Sequence, residues 1–332
     1  MRFLPDTEQL AFAGSLHAML TAADTPTVIR EWSGGDHTRG RALWHRVAEA
    51  GVFGLTVPQE RGGLGRHPVE LALAFVELGR HAMPGPLVET VAAAVLLQDP
   101  ALARRFLPGL LAGTELATVA TAPGGSVRDA AAVPLALDAD TAGLRLALAP
   151  DGLRLASPAG PPRRSLDPAR RLTPLLPDGE LLSPRPPYDL ALTWARLATA
   201  AQALGVGLAL VDRTVEYVRR RTQFGVPVGS FQAVKHRLAD TATALEFARP
   251  LLFGAALSLH PGDVAAAKLK SCEAAYTAAR TALQLHGAIG YTAEYDLSLW
   301  LTKARALRTA WGTPEECREL FLEDALKGPA GG

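Results

Sequence analysis

The distribution of proline along the chain sets the first limit on its fold. Of the 25 prolines among 332 residues, twelve fall between residues 117 and 187, a segment of only 71 residues. Because proline lacks a backbone N–H and its ring clashes with the preceding turn, this segment cannot form long helices. The flanks are poorer in proline, and 39 residues without one separate Pro187 from Pro227. We therefore expect helical regions at both ends and a small β domain between them.

Local patterns place the elements within these regions. Thr292 is a candidate N-cap, and Thr313 with Glu316 three residues later has the pattern of a capping box. Two apolar runs, 144–148 and 153–156, flank a Pro-Asp-Gly turn and predict a hairpin. Apolar residues at three- and four-residue spacings predict helices over 8–20, 40–50, 69–80, 87–97, 190–220, 230–247 and 263–286. The predicted domains are 1–116, 117–187 and 188–332.

Composition and charge exclude several classes of function. The net charge of +1 gives no reason to expect a nucleic-acid partner. The two cysteines, Cys272 and Cys317, fit a reducing cytoplasm, and the eight histidines have no metal-ligand spacing, so we expect no metal site. Asp6 and Glu8 follow Met1 too closely for a signal peptide, and no apolar run reaches the length of about 18 residues that spans a bilayer. We expect a cytoplasmic protein without a membrane partner.

The run RTQFGVPVGSFQAVKHRLAD, residues 221–240, combines an arginine with a predicted helix start. A Gly-Val-Pro turn separates Arg221 and Phe224 from Ser230 and Gln232, where the helix opens. Unpaired backbone N–H groups and the positive end of the dipole favour anions at a helix start, and an adjacent arginine makes it a good seat for a pyrophosphate. The run resembles the signature of the acyl-CoA dehydrogenase family, flavoenzymes that oxidise acyl-CoA thioesters.

Two further motifs extend the resemblance over nearly the whole chain. GVFGLTVPQERGGLG at 51–65 is similar to a glycine-rich turn between helices of the family, and QLHGAIGYT at 284–292 to its Gln-x-x-Gly-Gly-x-Gly turn. In the family, the second turn and the Arg-x-x-Phe…Gln segment hold the ADP half of FAD across a subunit interface. The resemblance implies that the FAD contacts are Arg221, Phe224, Gln232, Gln284, Gly287 and Ala288. His286 lies outside the fixed positions of the motif and is expected to be structural.

The positions of the family's catalytic base are empty. Oxidation of an acyl-CoA needs a base for the α-proton, and in most members a Glu precedes a Gly-Thr pair near the C-terminus. Here that pair begins at Gly312 and follows Trp311, whose indole only donates a hydrogen bond. Other members keep the base on the long helix beside an arginine; Ala195 occupies that place, next to Arg196, a substrate-proximal candidate. The glutamates at 315–316 are expected to be first-turn helix residues.

The middle segment also lacks expected groups. Family members carry Thr-Glu-Pro-x-x-Gly-Ser-Asp and a later Lys-x-Trp-Ile-Thr-Asn, which bind the flavin ring and the thioester end of the substrate. Residues 121–128, TAPGGSVR, keep the Pro and one Gly but neither acid, and residues 117–187 contain no Trp. SLDPARR at 165–171 is instead similar to a turn common in actinobacterial members.

The resemblance implies a mainly α fold with an N-terminal helical domain, a shortened middle β domain and a C-terminal four-helix bundle. It is most similar to the short, degenerate subunit of actinobacterial heteromeric acyl-CoA dehydrogenases, several of which act on steroid side chains. We therefore expect an FAD-dependent desaturase subunit that works with a larger subunit in an α2β2 heterotetramer, the partner supplying the base and most of the acyl-CoA site. Two alternatives stay open: a self-sufficient homo-oligomeric flavoenzyme with an unusual base, and a non-catalytic scaffold.

Overall fold

Helices dominate the computed structural model, which describes residues 5–120 and 134–327. In this part of the chain, helices precede and follow a group of short strands. The predicted mainly α class with a small β domain is confirmed. The 121–128 segment lies outside the described residues.

The N-terminal region contains two helices that the sequence pattern does not predict. The unpredicted elements are α2, which has only ten residues, and α6, which contains Pro108 in its interior. α1 begins with a capping box in which Asp6 accepts from the backbone of Gln9 and the Gln9 side chain accepts in return. The helices are α1 Thr7–Thr21, α2 Thr25–Gly34, α3 Thr38–Glu49, α4 Pro68–Arg80, α5 Leu87–Leu96 and α6 Pro100–Leu111.

The strands form two small sheets. One has the order β1-β3-β4-β7 and the other β2-β6-β5. The predicted hairpin is confirmed: β3 and β4 pair antiparallel, with Ala149 opposite Gly152 across the turn. The strands are β1 Ala117–Ala120, β2 Leu135–Leu137, β3 Leu144–Ala149, β4 Gly152–Leu155, β5 Ser157–Pro158, β6 Leu172–Leu176 and β7 Leu181–Ser183.

Five helices make up the described C-terminal region, with a two-stranded hairpin after the first. The three long helices pack against one another, α10 packs against α7 and α9, and α11 packs against α9. The elements are α7 Tyr188–Arg220, β8 Thr222–Gln223, β9 Val226–Pro227, α8 Gln232–Ser258, α9 Pro261–His286, α10 Leu297–Leu307 and α11 Pro314–Leu326.

Two predictions about helix ends in this region were wrong. α8 does not stop near residue 247 but continues through Pro250 to Ser258, because its burial against α9 outweighs the hydrogen bond that proline removes. Thr292 is not an N-cap: it ends a short 3₁₀ turn and its hydroxyl donates to the Ile289 carbonyl, while α10 begins after Asp296. The predicted capping box of Thr313 and Glu316 is confirmed at the start of α11.

α7 is the central helix of the molecule, and its glycines allow close helix packing. A Cβ added at Gly205 would lie 1.9 Å from the Val76 carbonyl oxygen of α4, and one at Gly207 would lie 2.5 Å from Leu245 of α8. α7 is long and apolar enough to cross a membrane by length and composition, yet 83% of its apolar window is buried inside the fold. This burial shows that α7 is a core helix of the fold.

Buried polar contacts join the strands to the helices on both sides. Lys303 of α10 forms a buried ion pair with Asp167, with 3.4 Å between Nζ and Oδ2. On the other side, the Trp32 indole of α2 donates to Asp138 Oδ2 over 3.2 Å, and the Arg171 backbone N–H donates to Asp138 Oδ1. The segment from Asp167 to Arg171 is therefore attached to both helical regions.

Candidate functional site

The connection from α7 to α8 folds back on itself as a small hairpin. The Val228 N–H donates to the Arg221 carbonyl over 2.7 Å, and β8 pairs with β9. Phe224 lies at the turn with a φ of 54°, a conformation uncommon for a bulky residue, and its side chain is 93% exposed. Its ring makes an edge-on contact with Phe231, with 6.3 Å between centroids. The hairpin thus presents an exposed aromatic ring beside Arg221.

The start of α8 is open to an anion. Gln232 is the first helical residue, and the N-cap residue, Phe231, provides no side-chain acceptor. The N–H groups of Gln232 and Ala233 have no acceptor among the described residues. Arg221 is exposed, and its guanidinium forms no ion pair within residues 5–120 and 134–327. A helix N-terminus with a nearby free arginine is a favourable place for a pyrophosphate.

The second motif forms the turn at the end of α9. Gln284 lies exposed in the last helical turn, and Ala288 is exposed after it. Gly287 has a φ of 66°, and a Cβ at this residue would meet no atom within 4 Å. The backbone of this turn is therefore open to close approach by a ligand.

His286 is structural, as predicted. Its Nδ1 donates to the Ala282 carbonyl over 2.8 Å, and its ring stacks on Tyr217 with 4.1 Å between centroids. Burial lowers the pKa of His286, so that the ring stays neutral at physiological pH. The stack fixes the end of α9 against α7.

This stack also brings the two motifs to one edge of the molecule. Arg221 lines a depression of about 310 Å³ together with Tyr217 and Tyr295, and both tyrosine rings contact His286. Gln284 instead lines a separate depression of about 590 Å³ between α8 and α9. None of the described depressions includes all six predicted contacts, so a site that uses them together needs a further surface.

At the predicted base position, the loop is tied to three helices. The Trp311 indole donates to Glu89 Oε1 of α5 over 3.2 Å, and the Trp311 carbonyl accepts from Arg196 Nε of α7 over 3.1 Å. Lys268 of α9 donates to the Gly312 carbonyl over 2.6 Å. Ala195 is fully buried. The loop therefore holds an indole, with no proton acceptor of its own, where the base is expected.

The sequence analysis missed one acidic group at this place. Glu89 is only 5% exposed, and its Oε2 has no hydrogen-bond partner among the described residues. The one signal was an isolated acid in the apolar helix α5, which does not reveal the contact with Trp311. By contrast Glu316 accepts from the Thr313 backbone over 2.6 Å in the capping box, and Glu315 is exposed in the first turn of α11. Their predicted structural role agrees with these positions.

One group of potential metal ligands was not visible in sequence spacing. Within the described residues, His17 Nδ1 lies 2.9 Å from Glu77 Oε2 and 3.3 Å from His81 Nε2, because α1 packs on α4. Burial, followed by the charges of His17 and Arg80, lowers the pKa of His81 to about 4. The positive charge of Arg80, 4.0 Å from Glu77, opposes a cation there. Hydrogen bonds among the three side chains account for their short separations.

Comparison with known proteins identifies the family. Residues 6–114 match the model for the acyl-CoA dehydrogenase N-terminal domain, and residues 189–326 match that for the acyl-CoA dehydrogenase C-terminal domain. Over 327 residues the chain is 32% identical to acyl-CoA dehydrogenase IpdE2 of Mycobacterium tuberculosis, which covers 98% of this chain and 99% of that protein. This chain belongs to the acyl-CoA dehydrogenase family.

Solved structures of other acyl-CoA dehydrogenases share the fold. The ChsE4-ChsE5 complex of Mycobacterium tuberculosis contains a chain with a TM-score of 0.81 and 23% identity, over 99% of this chain and 100% of that one. The acyl-CoA dehydrogenase of Bacillus anthracis, solved with FAD, has a TM-score of 0.80 and 19% identity, over 98% of this chain and 68% of that one. FAD is the cofactor of this acyl-CoA dehydrogenase as well.

The residues of the chain fit one half of this cofactor. The free guanidinium of Arg221, the open N–H groups at the start of α8 and the empty space at Gly287 suit a pyrophosphate and its nucleotide. At Trp311, by contrast, an indole and a buried carboxylate face each other, and Arg196 and Lys268 are bonded to carbonyls of the same loop.

Proposed function

We propose that this chain is a subunit of a heteromeric FAD-dependent acyl-CoA dehydrogenase and that a larger partner subunit carries the catalytic base. The observation that carries the proposal is the contrast between two places on the molecule. Trp311 fills the base position and is bonded to Glu89, whereas Arg221, on the edge of the molecule that we call the Arg221 edge, is exposed and without an ion pair among the described residues. The similarity to a chain of the ChsE4-ChsE5 complex supports a heteromeric enzyme, and the similarity to IpdE2 supports an acyl-CoA dehydrogenase.

In this proposal the chain binds the ADP half of an FAD whose ring lies in the partner. Arg221 neutralises the pyrophosphate, Phe224 packs on the cofactor and Gln232 donates a hydrogen bond at the start of α8. Gln284, with the backbone of Gly287 and Ala288, contacts the nucleotide from the other side. When bound, FAD accepts the hydride removed from the acyl-CoA.

The partner then supplies the base, the contacts to the flavin ring and most of the acyl-CoA site. The family resemblance places Arg196 near the substrate. Its Nε donates to the Trp311 carbonyl, so in this proposal Arg196 positions the loop. We propose an α2β2 heterotetramer in the cytoplasm, acting in lipid or steroid catabolism, because closed symmetry pairs each exposed Arg221 edge with one partner.

A second candidate is a self-sufficient homo-oligomeric flavoenzyme with an unusual base. One observation favours it: the unpartnered Oε2 of Glu89 is a proton acceptor next to the base position. A pure scaffold is not favoured, because a scaffold has no use for an exposed, unpaired Arg221 beside an open helix start.

Reconstitution tests the proposal. The chain is purified alone and co-expressed with a longer relative that has an intact Glu before its Gly-Thr pair, and acyl-CoA oxidation is followed with an electron-accepting dye. We expect turnover only from the complex, and loss of turnover when the partner's Glu is changed to Gln. Turnover by this chain alone that disappears in Glu89→Gln would establish the second candidate and overturn the first.

A further inference from the structure

A basic cavity lies between the middle strands and the C-terminal end of α10. Its volume is about 410 Å³, and we call it the α10 cavity. Its described lining contains three arginines, Arg170, Arg305 and Arg308, and two hydroxyl residues, Ser165 and Thr309; the remainder is leucine and alanine. Thr309 and Ala310 directly precede Trp311, so the α10 cavity adjoins the base position.

No ion pair neutralises the arginines of this cavity. None of the described residues that line it is acidic, and none of its three arginines forms an ion pair within the described parts of the chain. Of the nearby acids, Asp167 is paired with Lys303 and Glu273 with Lys270, while Asp138, which accepts from Trp32 and Arg171, attracts Arg170 only from beyond ion-pair distance. Three cationic groups that face one cavity without an ion-pair partner repel one another, which an anionic ligand would relieve.

Two of the arginines are held in place by one aromatic ring. Arg305 Nη1 donates to the Tyr276 hydroxyl over 3.0 Å, and the guanidinium carbons of Arg305 and Arg308 each lie 5.2 Å from the Tyr276 ring centroid. The Nε of Arg308 is buried and has no hydrogen-bond acceptor in the part of the chain that the structure describes. A buried, charged donor without an acceptor is costly, and this one borders a cavity large enough for a ligand.

We propose that the α10 cavity binds a phosphate-bearing anion of the pyrophosphate type. Guanidinium forks match phosphate oxygens in bidentate geometry, and the Thr309 hydroxyl adds a further donor. Three cations call for a ligand with at least two negative charges, and the cavity volume is within the usual range for small-molecule sites. The ligand is either free pyrophosphate or the diphosphate of a nucleotide coenzyme. This site is distinct from the Arg221 edge, so it stands whether or not the chain works with a partner.

Calorimetry on the full-length chain tests the site. Inorganic pyrophosphate is titrated at constant ionic strength, with malonate as a dianionic carboxylate for comparison. The double variant Arg305→Gln/Arg308→Gln should bind pyrophosphate at least about tenfold more weakly, because it loses charge-assisted hydrogen bonds. Arg104→Gln, an exposed arginine of α6 that does not line the cavity, is the matched control and should bind as the wild type does.

A second variant separates loss of the site from loss of the fold. Arg170→Gln lies on the opposite wall, outside α10, and should weaken pyrophosphate binding in the same direction with an unchanged circular-dichroism melting curve. Displacement of pyrophosphate by coenzyme A would assign the ligand to a nucleotide coenzyme, and failure to displace it would assign it to the free anion. The proposal is overturned if pyrophosphate does not bind, if malonate binds more tightly, or if both the double variant and Arg170→Gln bind as the Arg104 control does.

Discussion

Restoring a carboxylate at the base position should damage the fold without creating a second active site. In Trp311→Glu the donor to Glu89 is lost and a second carboxylate takes its place beside a side chain that is only 5% exposed. The lost hydrogen bond to a charged group costs about 1.5–3 kcal/mol. Two carboxylates about 4 Å apart repel by up to about 4 kcal/mol at an effective dielectric constant of 20.

Trp311→Phe is the matched control, because it also removes the indole donor but adds no charge. We expect Trp311→Glu to lower the free energy of unfolding by about 4 kcal/mol at neutral pH, about 2 kcal/mol more than Trp311→Phe does. Adding Glu89→Gln to Trp311→Glu should recover about 2 kcal/mol, since an amide donates to the new carboxylate. Urea denaturation followed by far-UV circular dichroism measures all four proteins. Equal stability of the Glu and Phe variants, or acyl-CoA oxidation gained by Trp311→Glu alone, would refute this reasoning.

Three further predictions concern the cofactor, the core and pH. Arg221→Ala should weaken FAD binding by the complex about tenfold or more, with only partial rescue by Lys; unchanged flavin content would contradict it. Gly205→Ala should destabilise by about 1–3 kcal/mol, since its Cβ would meet the Val76 carbonyl, whereas Gly14→Ala, with nothing within 4 Å, should stabilise slightly; chemical denaturation compares them. The folded pKa of His81 is about 4, below its ordinary 6.5, so its neutral ring contributes fully to the free energy of unfolding above pH 6.5. That contribution should fall by about 1 kcal/mol, after solvent screening, as the pH drops from 6.5 toward 4. His81→Gln should flatten this decline in pH-dependent melting.

The sequence predicted the parts of the fold that depend on local composition. The proline-rich segment from 117 to 187 predicted short strands, because each proline acts on its own stretch of backbone. The predicted end of α8 before Pro250 was wrong because proline weakens only the local turn, whereas the packing of α8 on α9 depends on residues far apart in the chain. The predicted N-cap at Thr292 was wrong because several polar residues before α10 could cap a helix, and α10 begins after Asp296.

The candidate sites divide in the same way. Motif spacing identified Arg221, Gln284 and Trp311, since each belongs to a run of neighbouring residues. It did not identify the contact of Glu89 with Trp311 or the three arginines of the α10 cavity, which come from segments far apart in the chain. Arg170 lines the same cavity as Arg305 and Arg308 because its segment is attached to α10 through the ion pair of Lys303 with Asp167.

The flavin content of the purified complex tests the central claim most directly. This chain and its longer partner are co-purified, subunits are quantified by amino-acid analysis, and FAD is released by denaturation and measured by its visible absorbance. The proposal gives this chain the nucleotide contacts of one half-site and no base, so it predicts one FAD per pair of unlike subunits and none retained by this chain alone. One FAD per chain, or a yellow homo-oligomer of this chain, would contradict the assignment of the ring-binding half of the site to the partner.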